Sequence, residues 1–184
     1  MNAKNPCWSN GPNLPYSARH GVMYTIGDHL YMLGGYQYDS SCYACCRNYH
    51  YRIAETDSSW SSRSLLQIFT QILISSLQPT FRAGFHINIM QTTAVVDRDT
   101  ERAYILGGHD CSYHRAEVRV YLPSSNSWTY ISNLPFSSRG VAAAIIRQKN
   151  DEKWIMALRN AHTFVFCQVF IQQTVIHEGL YSHP

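Results

Sequence analysis

One set of intervals constrains this chain more than any other feature. Trp8 precedes Leu14-Pro15 by six residues, and Trp128 precedes Leu134-Pro135 by the same six. Arg19 follows Pro15 by four residues and Arg139 follows Pro135 by four, while a looser copy places Arg82 three after Pro79. Two apolar segments, GVMYTIGDHLYMLGG at Gly21 to Gly35 and TAVVDRDTERAYILGG at Thr93 to Gly108, both read as strand, polar turn, strand, glycine pair. Tyr121 stands seven residues before Trp128, Ile53 stands seven before Trp60, and Trp8 and Trp60 lie 52 residues apart. Single helices or strands do not need such a period. A repeated unit does.

Each part of the unit has a physical meaning. Val, Ile, Tyr and Leu runs bounded by Gly-Asp or Asp-Arg-Asp turns form short antiparallel strands. A glycine pair ending a strand allows positive φ and close approach of another backbone. The Pro-Ser-Ser-Asn run between Tyr121 and Trp128 is turn chemistry, so these aromatics are expected on adjacent strands. One period therefore holds four strands, a sheet too small to bury both faces unless it stacks on copies of itself. An unrelated β-sandwich would share the strands without the intervals.

A period near 50 residues, with its glycine pair and Tyr…Trp spacing, resembles the kelch repeat, whose units are blades of a β-propeller. The resemblance covers about Trp8 to Leu158. It is most specific around Gly107, Gly108, Tyr121 and Trp128, and good for Gly34, Gly35 and Trp60, where Ile53 replaces the usual aromatic. It implies an all-β chain, an incomplete kelch-type propeller of four-stranded antiparallel blades. The expected division is the end of a preceding blade at 1–13, a blade at 14–60, an insertion at 61–78, a blade at 79–133, a partial blade at 134–160 and an irregular tail at 161–184. Propellers close with about 4–8 blades. This chain is thus expected to be a fragment, an isoform, or a piece that associates with other blades or with itself through open edges.

The insertion accounts for a longer second interval, 68 residues from Trp60 to Trp128. Leu65, Leu66, Phe69, Ile72, Leu73 and Leu77 recur there at helical spacing, with Ser61 or Ser62 as cap and Pro79 as stop. Either a helix is inserted between blades at 61–78, or the segment is foreign to the repeat and folds weakly. Removing Ser64 to Ser76 is expected to make the protein more soluble and no less stable, since an added segment leaves the blade intact.

Composition narrows the function classes. A net charge of +3 with no Lys or Arg block does not suit nucleic acid. The first residues show no basic region followed by an apolar core, and the longest apolar runs, Leu65 to Leu77 and Thr163 to Ile176, are short of the ~20 residues of a membrane span. No membrane partner and an intracellular, cytoplasmic location are expected. The six cysteines then read as reduced thiols.

Little in the sequence suits catalysis. Cys42 and Cys45 have C-x-x-C spacing with His50 nearby, but no second such pair completes a zinc site, so no metal or other cofactor is assigned. His109 lies among Asp110, Cys111 and Tyr113 without a partnered nucleophile, and no G-x-S-x-G or phosphate loop occurs. The rival reading is a fragment of a propeller enzyme like galactose oxidase, whose copper site draws tyrosines, histidines and a cross-linked cysteine from several blades. The recurring arginines suit a repeated structural hydrogen bond. The kelch resemblance implies instead a non-enzymatic module that recognises a protein. The loops Tyr36 to Cys46 and His109 to Arg115 should emerge on one end with the 61–78 segment, and Tyr36, Tyr38, Tyr43, His109, Tyr113, His114 and Arg115 are the candidate anchors there.

Overall fold

The computed structural model describes residues 10–39, 42–68, 85–86, 89–158 and 169–170, and all its regular elements are β-strands. The first sheet is built from β1 (Val22–Ile26) and β2 (His29–Leu33). The chain then leaves it for a separate hairpin, β3 (Tyr36–Asp39) and β4 (Cys42–Cys46). It returns as β5 (His50–Ala54) and β6 (Ser61–Ser62), completing an antiparallel sheet of order β1-β2-β5-β6. A short pair follows, β7 (Gln67–Ile68) with β8 (Phe85–His86). The second sheet has order β12-β11-β10-β9, from β9 (Thr93–Asp97), β10 (Arg102–His109), β11 (His114–Leu122) and β12 (Ser127–Asn133). Tyr121 and Trp128 are register partners across the β11–β12 hairpin. A third sheet holds β13 (Ala142–Arg147), β14 (Lys153–Leu158) and β15 (Val169–Phe170). Among the described residues no helix is long and apolar enough to cross a membrane.

Strand alternation assigns each sheet two faces, because successive side chains point to opposite sides. Tyr24, Ile26, Tyr31 and Leu33 of the first sheet form one core cluster with Ala103, Ile105, Tyr121 and Trp128 of the second. The intervening residues Val95, Tyr104, Leu106, Val118 and Val120 turn the other way and pack with Ile155 and Ala157 of the third sheet. The second sheet is therefore apolar on both faces, as stacking requires. Lys153 adds a polar tie, its Nζ 2.6 Å from Asp97 Oδ1 at the end of β9.

The glycine pairs explain how successive sheets are joined. The Gly35 amide donates to the Ile89 carbonyl (2.7 Å), and the Ile89 amide donates to Arg47 (3.0 Å). The same two bonds recur one unit later, from Gly108 to Ser138 (2.8 Å) and from Ser138 to Arg115 (3.0 Å). Gly34 and Gly107 adopt φ of 64° and 57°. A Cβ on Gly107 would lie 2.8 Å from the Ser138 carbonyl oxygen, and one on Gly34 would collide with that of Ile89. Only glycine permits the strand end and the incoming segment to come so close.

These bonds correct two sequence expectations. Arg19 and Tyr36 form a reciprocal backbone bridge, and Met90 forms the equivalent one with His109. The repeated position is thus a backbone position that Met90 fills; Arg82 and Pro79 lie outside the described residues. The helix does not begin at Ser61 either. Ser61 and Ser62 pair with β5, Gln67 and Ile68 pair with β8, and Leu66 is fully buried between the first two sheets. Leu66 stands six residues after Trp60, as Leu134 does after Trp128, so it is the repeat leucine. Residues 69–84 lie outside the described residues.

Candidate functional site

The end of the sheets that carries the glycine pairs gathers the candidate residues. In the first unit the chain passes Gly34-Gly35 and rises into the β3–β4 hairpin, where Tyr36 pairs with Cys46 and Gln37 with Cys45. The expected irregular loop between 36 and 46 is thus a two-stranded ribbon. Arg47 secures its base, with Nε donating to Gln37 Oε1 (3.2 Å) and its guanidinium 5.7 Å from the Tyr49 ring centroid. In the second unit β10 and β11 run on past the glycine pair to a tight turn between His109 and His114.

Asp110 builds that turn. Its Oδ1 accepts the amides of Ser112 (2.9 Å) and Tyr113 (2.6 Å), and its other oxygen pairs with Arg115. Partial burial pulls the carboxyl upward, but the two amides and the Arg115 guanidinium outweigh it and hold it below the ordinary aspartate range. Cys111 takes φ of 73° within the turn. The result lifts Tyr113 into solvent at 70% exposure. His114 is exposed beside it, its ring edge-on to half-buried His109 at 5.2 Å. Arg115 also lies 3.7 Å from Glu117.

A disulfide between Cys46 and Cys111, with Cα atoms 5.8 Å apart, joins the hairpin of the first unit to the turn of the second. This overturns the expectation of reduced thiols for these two residues. All seven candidates stand on the two joined segments, Tyr36, Tyr38 and Tyr43 on the β3–β4 hairpin and His109, Tyr113, His114 and Arg115 at the turn; the side chains of Tyr38 and Tyr43 fall outside the described part. Sequence reasoning missed Asp110 and Arg47 as supports, and it missed the cysteine bond. An Asp two residues before Ser-Tyr in a His-Asp-Cys-Ser-Tyr-His run was an available turn signal for Asp110. The cysteines are 65 residues apart and occupy different places in their units, so nothing in the spacing pairs them.

The disulfide gives a direct test. Closing a loop of 65 residues restricts the unfolded chain, and such a bond contributes about 2–4 kcal/mol. Cys111→Ser should lower the urea midpoint by a corresponding amount, and reducing agent should then have no further effect on that variant. Equal midpoints for the native chain with and without reductant would show that the bond does not hold the two segments.

His50 is no metal ligand in this arrangement. It is 1% exposed, with Nε2 2.7 Å from the Tyr24 hydroxyl and Nδ1 3.2 Å from the Ser64 carbonyl. A carbonyl only accepts, so Nδ1 carries the proton and Nε2 accepts from Tyr24. Tyr121 and Trp128 surround the ring at 4.5 and 5.3 Å. Burial lowers its pKa to about 3, against a smaller opposing effect of the Ser64 carbonyl. Among the described residues, no group of three or more His, Cys, Asp or Glu is placed to hold a metal ion.

No family model and no curated protein matches the chain. Solved structures do. One is YjhT, 16% identical, with a TM-score of 0.50 over 76% of this chain and 44% of YjhT. The chain thus spans less than half of YjhT, and the likeness is one of fold alone.

Proposed function

We propose that this chain is a non-enzymatic protein-recognition module of the kelch-repeat type, its sheets acting as blades of an incomplete propeller. The binding surface is the glycine-pair end, formed by the β3–β4 hairpin and the His109–His114 turn. One observation carries the reading: a disulfide and an Asp110-centred turn are used to present Tyr113 and His114 outward from a rigid base. Side chains displayed in this way lose little conformational freedom on binding, and aromatic residues so placed dominate interface energies.

The test is site-specific cross-linking in cells, comparing the native chain with a Tyr113→Ala/His114→Ala variant and with Asn150→Ala at the opposite sheet end. Truncating an anchor costs about 2 kcal/mol, or roughly thirty-fold in affinity. The loop variant should lose the partners that the native chain and the Asn150 variant retain, with unchanged far-ultraviolet dichroism. Partners retained in full by the loop variant would remove this reading.

A further inference from the structure

The Cys46–Cys111 disulfide joins two segments that other bonds already shape. Cys46 ends the β3–β4 hairpin and is 2% exposed. The next residue fixes its backbone: the Arg47 amide donates to the Gly35 carbonyl (2.8 Å), and the Arg47 carbonyl accepts from the Ile89 amide (3.0 Å). Across the bond, the turn keeps its own form. Asp110 Oδ1 takes the Ser112 and Tyr113 amides, and the Asp110 amide donates to the Tyr113 carbonyl (3.1 Å). At its base His109 exchanges two backbone bonds with Met90, each 2.9 Å. What the disulfide adds is the placement of the turn tip against the hairpin base. Two features of Cys111 go beyond what a structural cross-link needs. The residue is exposed, so a dissolved thiolate can approach the bond from that side, and exposed disulfides are the labile, regulatory ones. Its φ of 73° is left-handed backbone that Gly, Asn or Asp adopts more readily, yet a cysteine stands there.

We propose that this bond is a redox latch on the recognition surface: oxidised, it pins the turn that carries Tyr113 to the hairpin; reduced, it frees the turn while the sheets stay folded. The latch rests on the recognition reading above and adds its regulation. The reductant is a dithiol. One of its thiolates attacks Sγ of Cys111, the S–S bond breaks, and Cys46 leaves as a thiolate that takes up a proton. The second thiol of the reductant, as its thiolate, then displaces Cys111 from the mixed disulfide. The reductant ends as a disulfide and both cysteines end as thiols, so two electrons and two protons have passed to the protein. Burial shields the Cys46 side from the same attack. A freed turn has to be ordered again on binding, which weakens recognition roughly ten-fold.

The experiment treats the purified full chain with reduced dithiothreitol in the absence of denaturant and traps the free thiols by alkylation. Peptide mass should show Cys46 and Cys111 newly alkylated, with far-ultraviolet dichroism unchanged. Backbone order parameters by NMR should fall at Cys111 to Tyr113 from the rigid value of about 0.85 to below about 0.6, and should hold at Ile105 and Val118 in the strands beneath. Oxidised glutathione should restore both the bond and the order. In cells, Cys111→Ser stands for the open latch, and its cross-linked partners should fall roughly ten-fold. A bond that yields to dithiothreitol only in urea overturns the proposal. So does reduction that unfolds the sheets, a turn that stays rigid once reduced, or a Cys111→Ser variant that keeps its partners in full. If Tyr113→Ala/His114→Ala keeps every partner, the recognition reading falls, and the order parameters still decide whether the turn is latched.

Discussion

Acidification from pH 6.5 towards pH 3 is expected to remove a large part of the stability of this protein through His50. The unfolded chain takes up a proton at the ordinary histidine pKa of 6.5, whereas the folded chain resists until about 3. A folded-state pKa lowered in this way leaves stability complete above pH 6.5 and erodes it as pH falls to the folded value. The slope is about 1.4 kcal/mol per pH unit, so the full window is worth roughly 4–5 kcal/mol. That rivals the whole stability of a small domain, about 5–15 kcal/mol. Protonation would force a cation among Tyr24, Tyr31, Tyr121 and Trp128, and it would oblige the Tyr24 hydroxyl to turn from donor to acceptor at Nε2. Asp97 and Asp110 are both held below the ordinary aspartate value of 3.8, so the stability they contribute is lost as pH falls from about that unfolded value towards the lower folded one. Urea midpoints between pH 6.5 and 4.5 therefore isolate the histidine. His50→Asn should be less stable at pH 7 but should lose about 2–3 kcal/mol less across that interval. Parallel slopes for the two proteins would place the acid sensitivity elsewhere.

Much of the scaffold was legible because its signals are local. The strand-turn-strand-glycine runs predict β1–β2 and β9–β10, and the seven-residue spacing predicts that Tyr121 faces Trp128 across a hairpin. Local signals failed where two patterns competed. Leu65, Leu66 and Phe69 fit a helical stripe, yet the six-residue interval from Trp60 marks Leu66 as a repeat position, and burial between two sheets decides in favour of the repeat. The looser Pro79–Arg82 copy drew the alignment away from Met90, because a backbone bridge can be formed by any side chain. The candidate face was legible by residue type and place, since Tyr113 and His114 sit in the turn that the glycine pair foretells. Its supports were not. Asp110 acts through backbone amides, and the Cys46–Cys111 bond depends on how two units stack, which no interval within one unit encodes.

Leu66→Ala is expected to cost about 2–5 kcal/mol, the range for truncating a fully buried leucine in a core that cannot collapse around the gap. The surroundings argue for the upper part of that range. Ile89 and the strand residues Ile26, Leu33 and Ile105 belong to the same core cluster, and they are anchored by sheet register and by the glycine-pair bonds. Ser64, two residues earlier, ties this link down with polar contacts as well. The Ser64 amide donates to Asn126 Oδ1 (3.0 Å), and its carbonyl accepts from Trp128 Nε1 (3.1 Å) and from His50. Deleting Ser64 to Ser76 would thus strip the buried histidine and tryptophan of their shared acceptor while emptying the Leu66 site. The expected outcome is loss of the cooperative unfolding transition, the reverse of what a dispensable insertion predicts. Leu65 supplies the internal control, being only half-buried. On a helical stripe Leu65 and Leu66 would be neighbours of similar weight, whereas in the extended link between β6 and β7 the alanine substitution at 65 should cost well under half of that at 66. Urea midpoints for both variants measure the ratio, and an unshifted midpoint for Leu66→Ala would detach this residue from the core.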